Sequence, residues 1–405
     1  MMLGILAWRN VWRNRRRSLI IVVSIVVGVA SAMVSDGLSI GMIRQMLENQ
    51  IGSHVSHIQI HATGFHANPV IQTSIADVSR VENALRGTAG VRTWSRRVNT
   101  FGLLSSAHSS SGGLIIGVEH DREATVTSIR SSLMEGRYLD GSPHEAVIGR
   151  RMAEKLGVGL GDKIVAMAST PNGDVGSDLF RVVGIYQTVS SEFDKVHMFA
   201  ELAGTQTMLD LDVRVLEYAV TVENLDQVEQ VKQRLQQTLG AEFEVLSYRD
   251  LLPMLVYMVD MYGQMMLVLY VVIGLAMIFG IINAMLMSVF ERIQEFGVLM
   301  AVGMKNSMVF RMVMSEALLL SAIGTAAGLC VGILAVLTLG AVGIDLGMFT
   351  EGLHSFGVGA VIYPRLTGSS ILSVIVVIPL TAMLGALYPA LKATRLQPVT
   401  AIRYV

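Results

Sequence analysis

Charge and cysteine are both scarce in this sequence, and each scarcity excludes a class of protein. Only 16% of the 405 residues are charged and 52% are hydrophobic, against about 25% charged in an ordinary soluble domain. The single cysteine, Cys330, leaves no room for a disulfide framework or a thiolate metal site. Basic and acidic residues number 31 and 32, a net charge of −1, so a nucleic-acid partner is not expected. Lysine is rare too. Lys155, Lys163, Lys195, Lys232, Lys305 and Lys392 are the whole set, and none sits in a Gly-Lys-Ser/Thr turn. A P-loop, and ATP hydrolysis by that route, is therefore excluded from these residues.

The missing charge is missing locally. A helix crosses a bilayer with roughly 20 apolar residues, and four stretches qualify. The first is Leu19 to Ile43 and the second is centred on Leu267 to Ser288. The third runs from Ala317 to Val342, and the fourth from Ile371 to Leu391 with Pro379 and Pro389 inside it. Ala30-Ser31-Ala32 resembles a signal-peptide cleavage site, but the apolar run continues past it. Trp8 and Trp12, four apart among arginines, suit an interfacial helix ahead of the first span.

Charge sets the expected orientation. Residues 1–18 carry Arg9, Arg13, Arg15, Arg16 and Arg17. The connection after the second span carries Arg292, Lys305 and Arg311, and the tail carries Lys392, Arg395 and Arg403. The long insert, 44–255, holds 19 basic and 25 acidic residues. Basic flanks mark the cytoplasmic side, so both termini are expected inside and the insert outside. The expected division is 1–46 for the interfacial helix and first span, 47–248 for the outer domain, and 249–405 for the remaining three spans.

Within the insert, alternation at His57-Ile58-Gln59-Ile60-His61 predicts a strand, and Asp77 to Leu85 predicts a short helix. Leu114–Val118, Ala146–Ile148, Lys163–Met167, Phe180–Ile185 and Val213–Val222 read as further strands. Arg150–Leu156, closed by Gly157, reads as a helix, and so does a polar stretch from Asn224 to Leu239. Strands and helices mix irregularly, which predicts an α+β domain.

Motifs for catalysis are weak. Gly37-Leu38-Ser39-Ile40-Gly41 has the spacing of a nucleophile elbow but lies on a membrane helix. Gly157 to Asp162 is read as a turn into the next strand. His54, His57, His61 and His66 are close in sequence, with His57 and His61 on one strand face. No carboxylate or cysteine lies near them, so a solvated strand edge is expected rather than a metal site.

Two other patterns are more informative. Met254, Met258, Met261 and Met265, spaced 4, 3 and 4, share one helix face. Their helix is expected to start at Ser247, with Asp250 in its first turn. The face serves either as a packing seam or as a contact for an acyl chain or apolar ligand. Between the second and third spans, Glu291 to Met304 is amphipathic and of helix length. A docking helix for a cytoplasmic partner is its natural use.

That stretch, with Asn283-Ala284-Met285-Leu286-Met287-Ser288-Val289-Phe290 before it, resembles the FtsX/MacB-type ABC permeases. Leu6-Ala7-Trp8-Arg9-Asn10 with Trp12 to Arg17 is similar to the family's amphipathic start. Glu316-Ala317-Leu318-Leu319 with Gly324 and Gly328 resembles its third span. Tyr388-Pro389-Ala390 and Pro398-Val399-Thr400-Ala401-Ile402-Arg403-Tyr404 resemble its tail. The layout is similar to the lipoprotein-release permeases LolC and LolE. Ser169-Thr170-Pro171-Asn172-Gly173, leading to Phe180–Ile185, resembles LolC near its chaperone-catching hairpin, while 283–304 is closer to MacB-type efflux permeases.

The resemblance implies a bacterial inner-membrane, multi-pass, non-catalytic subunit of an ATP-driven complex, with the large domain periplasmic. It implies a second permease subunit and a cytoplasmic ATPase dimer that binds the ATP and Mg, this chain binding no cofactor and no metal. Its coupling helix maps here onto Glu291, Arg292, Glu295, Phe296, Gly297, Leu299, Ala301 and Gly303. The substrate implied is a lipoprotein or another amphiphile taken from membrane lipid, passed on to a periplasmic chaperone. Efflux of peptides or small molecules, and regulation of an external enzyme, are the other roles the family offers.

Overall fold

The computed structural model describes Arg13, residues 15–347, Gly352 and residues 357–395. The Trp8–Trp12 interfacial segment and the Pro398–Tyr404 motif lie outside the described residues. The chain divides into two compact units. One comprises residues up to Ile43, Met258–Asp345 and Val361 onward; the other comprises Arg44–Tyr257 with Leu346–Ala360. The sequence division had placed 346–360 with the last three spans, whereas its described residues belong to the outer unit.

The first unit holds four helices long and apolar enough to cross a membrane, each containing one predicted span. They are α1 (Arg15–Gln50), α2 (Pro253–Glu291), α4 (Asn306–Val342) and α5 (Gly368–Thr394); a shorter helix, α3 (Ile293–Ala301), lies between α2 and α4. Lipid tails give helices no hydrophobic reason to associate, so close packing must do it. Here α4 presents Gly324, Gly328 and Gly332, one turn apart. A Cβ at Gly328 would sit 2.7 Å from Val29 and one at Gly332 2.6 Å from Met33. The α1–α4 contact is closer than any larger residue permits. Both prolines predicted in the fourth span lie within α5, where Pro389 is buried.

Ser39 sits on the unbroken helix α1 and donates its hydroxyl to the Ser35 carbonyl at 3.0 Å. No strand-turn-helix elbow exists there.

The outer unit is a mixed α+β domain inserted between the first and second membrane helices. Its ten strands are β1 (Ile58–Ala62), β2 (Val91–Ser105), β3 (Ser110–Val118), β4 (Leu133–Gly136), β5 (Glu145–Gly149), β6 (Lys163–Ser169), β7 (Val175–Tyr186), β8 (His197–Glu201), β9 (Glu217–Val222) and β10 (Phe243–Ser247). The sheet order is β10-β1-β9-β2-β3-β8-β5-β7-β4, and β6 pairs with both β2 and β7. Strands β2, β3, β8, β5, β7 and β6 therefore close a ring, leaving β10-β1-β9 as an extension of β2. Pairing is antiparallel except for β3 with β8 and β5 with β7. Helices Val78–Gly87 and Val228–Leu239 bury Val81, Ala84 and Leu85, and Val228, Val231, Leu235 and Leu239. That is the stripe their 3.6-residue period prescribes.

Three expectations need correction. The predicted strand at 213–222 begins only at Glu217, because Asp210 and Asp212 take left-handed conformations and turn the chain before it. Ser247 forms a capping box with Asp250, but on a separate one-turn helix, Tyr248–Leu251. The long helix starts at Pro253, since a residue preceding proline resists the helical conformation and Leu252 has ψ 53°. The histidines do not mark an exposed strand edge. β1 lies between β9 and β10, and His61 is 3% exposed.

Candidate functional site

The segment between α2 and α4 is held in place by a buried ion pair. Arg292, at the junction of α2 and α3, donates to Glu316 of α4 at 3.0 Å and to Glu295 at 3.1 Å. Its guanidinium also lies 5.2 Å from the ring centroid of Phe296, which is 1% exposed. On the outer side, Arg13 makes two hydrogen bonds to Glu295, at 2.6 and 2.8 Å. Burial works against the Glu295 charge, but the bonds from Arg13 and Arg292 hold its carboxyl below the usual range. α3 is therefore fastened at its start to α4 and to the residues preceding α1.

The residues expected to form the coupling helix separate by burial. Arg292, Phe296 and Gly297 are buried, and Leu299 is half-buried. These four hold α3 and do not present a surface. Glu291, Glu295, Ala301 and Gly303 are exposed. The sequence reading missed Val298 and Val302, which are 50% and 84% exposed and lie one turn apart. Amphipathic reasoning assigns apolar residues to the buried side. Here Ile293 and Phe296 fill that side while a second apolar strip faces outward.

The methionines of α2 are open within one chain. Met254, Met258 and Met265 are 76%, 42% and 63% exposed, and Met261 is half-buried. α2 has the least buried apolar window of the four membrane helices, 17% against 28–33%.

The outer domain contains a second constellation that the sequence pass did not find. Arg97, fully buried, donates to Glu123 at 2.7 and 3.1 Å, to Glu217 at 2.8 Å and to the His54 carbonyl at 2.5 Å. Burial opposes the guanidinium charge, and the two carboxylates outweigh it, raising its pKa above the usual arginine value. Asn99 adds a bond to Glu217 at 2.6 Å. These residues come from β2, β9, the helix His120–Val126 and the π-turn Ile51–Val55. No local spacing reveals such a set.

The four histidines do not converge on one centre, although His54, His61 and His66 line one cleft. His61 contacts the Leu216 carbonyl at 2.9 Å and Gln59 at 3.1 Å, while the His57 ring accepts the Val222 amide proton at 2.9 Å. Burial, and then Arg92, lowers the His57 pKa, which favours this neutral acceptor form. Among the described residues, no three His, Cys, Asp or Glu side chains converge to hold a metal.

Comparison with known proteins places both units. Residues 18–238 match the MacB-like periplasmic core domain and residues 267–398 the FtsX-like permease C-terminal. The pyoverdine export ATP-binding/permease protein PvdT of Pseudomonas syringae pv. syringae (strain B728a) is 26% identical over 428 residues, covering 98% of this chain and 58% of that protein. The chain thus spans little more than half of that relative's length. The lipoprotein-releasing system transmembrane protein LolC of Haemophilus influenzae is 26% identical over 318 residues, 76% of each chain. The periplasmic region of MacB from Actinobacillus actinomycetemcomitans overlays loosely. Its TM-score is 0.36 at 14% identity, over 50% of this chain and 93% of that one. Two matched domains that together take in most of the chain show that it belongs to the ABC transporter permeases of the FtsX/MacB/LolC type.

Proposed function

We propose that this chain is the membrane subunit of an ATP-driven complex. A separate cytoplasmic ATPase, binding ATP and Mg, acts on α3, and a second permease, identical or homologous, completes the assembly in the inner membrane. Both termini and α3 face the cytoplasm in this reading, which follows from the basic flanks of the membrane helices. The observation that carries it is α3 itself, an apolar strip at Val298 and Val302 exposed on a helix whose other side is fastened by Arg292, Glu316 and Phe296. A loosely held helix would yield under a push, whereas this one passes displacement to α4.

The substrate we infer is an amphiphile entering from the outer leaflet, with a lipoprotein as the leading instance and a periplasmic chaperone as its receiver. The exposed methionines Met254, Met258, Met261 and Met265 support this, since flexible thioethers adapt to acyl chains of different length. Efflux of a small molecule is the second reading. It is favoured by the 98% coverage of this chain in its alignment with the pyoverdine exporter.

A photoreactive residue at Met258 or Met261 tests the substrate reading in the intact complex. An amphiphile should be captured before ATP is added and lost afterwards. Capture of the partner permease alone, unchanged by ATP, would make the methionine face a subunit seam.

A further inference from the structure

The outer domain contains a cleft of about 530 Å³ bounded by β1, β2, β9 and the segment 65–72. That volume lies within the range of small-molecule sites, roughly 300–1,000 Å³. Its walls are apolar at Phe65, Val70, Ile71 and Phe101. Phe65 stacks on His61 at 4.8 Å, and Phe101 is 75% exposed at the rim.

Its polar lining holds one carboxylate and three histidines, His54, His61 and His66. Glu217 is the carboxylate in the cleft, and among the described residues no lysine or arginine lines it. Arg97, behind that wall, is shared between Glu217 and Glu123, so the buried trio has a formal charge of −1. Asn99 also lines the cleft. Its amide nitrogen must be the atom at Glu217, because a carboxylate only accepts. Its buried Oδ1 is then left without a protein donor, and the buried Nδ1 of His54, another lining residue, has no hydrogen-bond partner. An unmet buried acceptor costs about 1–3 kcal/mol, and an uncompensated buried charge costs more. A positively charged N–H donor relieves both.

We propose that this cleft binds a small amphiphile through a primary ammonium head placed at Asn99 and Glu217. The apolar body lies along Phe65, Val70 and Ile71, with Phe101 at the rim. This site is independent of the methionine face and of the transport reading. Two sources supply such a head, a free amine and the N-terminus of a peptide.

The test uses the full chain in lipid nanodiscs, with binding followed by isothermal titration calorimetry. The probes are phenethylamine and the tripeptide amide Phe-Ala-Ala-NH₂, each beside its N-acetylated form. The free-amine probes should bind, and acetylation should weaken binding about tenfold or more, as the loss of one charge-assisted hydrogen bond requires. Binding of one probe alone identifies the source. Asn99→Leu should remove binding. Ser169→Arg, placed at an exposed rim position, should do the same with an unchanged melting temperature, which separates loss of binding from loss of fold. Equal binding of the acetylated forms, no binding of either free amine, or wild-type affinity in both variants would overturn the proposal.

Discussion

Among the described residues, two buried arginines, one in each unit, are each gripped by two carboxylates, and their surroundings differ. Arg97 and Glu123 are wholly buried and the Glu217 side chain is 3% exposed. Arg292 and Glu316 are nearly as buried, at 7% and 9%, but Glu295 is 45% exposed and is bound in turn by an exposed arginine, Arg13. The first network is closed. The second runs from the interior of the helix bundle to the surface. A buried network of this kind defines which strands meet, because no other protein group can stand in for a missing partner. An open one ties a surface helix to a membrane helix while leaving one carboxylate within reach of water.

The largest effect should follow from Arg97→Met. It strands two buried carboxylates, and breaking a buried pair typically costs about 3–5 kcal/mol, a large part of a domain's total stability of about 5–15 kcal/mol. Denaturant unfolding followed through tryptophan fluorescence, with Trp94 on β2 three residues before Arg97, should show it. A loss under about 1 kcal/mol would mean that the outer core does not depend on its charges.

Arg292→Met should cost less, about 1–3 kcal/mol, because Glu295 can turn to water and keep Arg13. The damage should be local, seen as faster hydrogen exchange across 293–301 while α1 and α4 stay protected. Unfolding as complete as that of Arg97→Met would remove the distinction between closed and open networks.

A third buried acid sharpens the comparison from the other side. Asp194, 1% exposed, is held by the Thr188 amide and hydroxyl rather than by a guanidinium, and burial raises its pKa from 3.8 to about 6. Between these values the folded chain keeps a proton that the unfolded chain has released. Its contribution to stability is therefore full below about pH 4 and is lost as pH rises through 6, a change of about 2–3 kcal/mol. His57 and His197, with pKa values lowered first by burial, act in the opposite sense below pH 6.5. The difference between wild type and Asp194→Asn isolates the carboxyl. Wild type should lose stability relative to the variant from pH 4 to 6, and parallel curves would show that Asp194 titrates normally.

These networks also explain what the sequence made legible. Hydropathy located all four membrane helices, since a span needs nothing but length and apolarity. Alternation found β1, and short apolar runs found β3, β5 and β6, but the fifteen-residue β2 was passed over. Its inward positions include Ser95 and Arg97, and an inward arginine reads as an exposed one until its partners, 26 and 120 positions away, are known. The same blindness hid Asn99 and Glu217 as neighbours across a cleft. In the other unit, α3 was legible as amphipathic, yet its exposed apolar strip was not. Periodicity records one apolar face and assigns it to the interior.

That strip carries the smallest expected effect on folding. Val298 and Val302 face outward on a helix already secured by Ile293, Phe296 and Arg292, so Val298→Asp with Val302→Asp removes little internal contact. Stability should stay within about 0.5 kcal/mol of wild type. If an ATPase covers these valines, each takes a hydrophobic contribution of about 1.5–3 kcal/mol on burial, and two aspartates in their place would make the covered surface repulsive. Association with the ATPase should then fall by a hundredfold or so, with membrane insertion unchanged. This is a cleaner probe than charge reversal at Glu291 and Glu295, which would also break the bonds of Glu295 to Arg13 and Arg292. Measured copurification of the ATPase decides the matter. Undiminished association in the double variant would place the contact elsewhere on the cytoplasmic face and leave α3 a structural brace for α4.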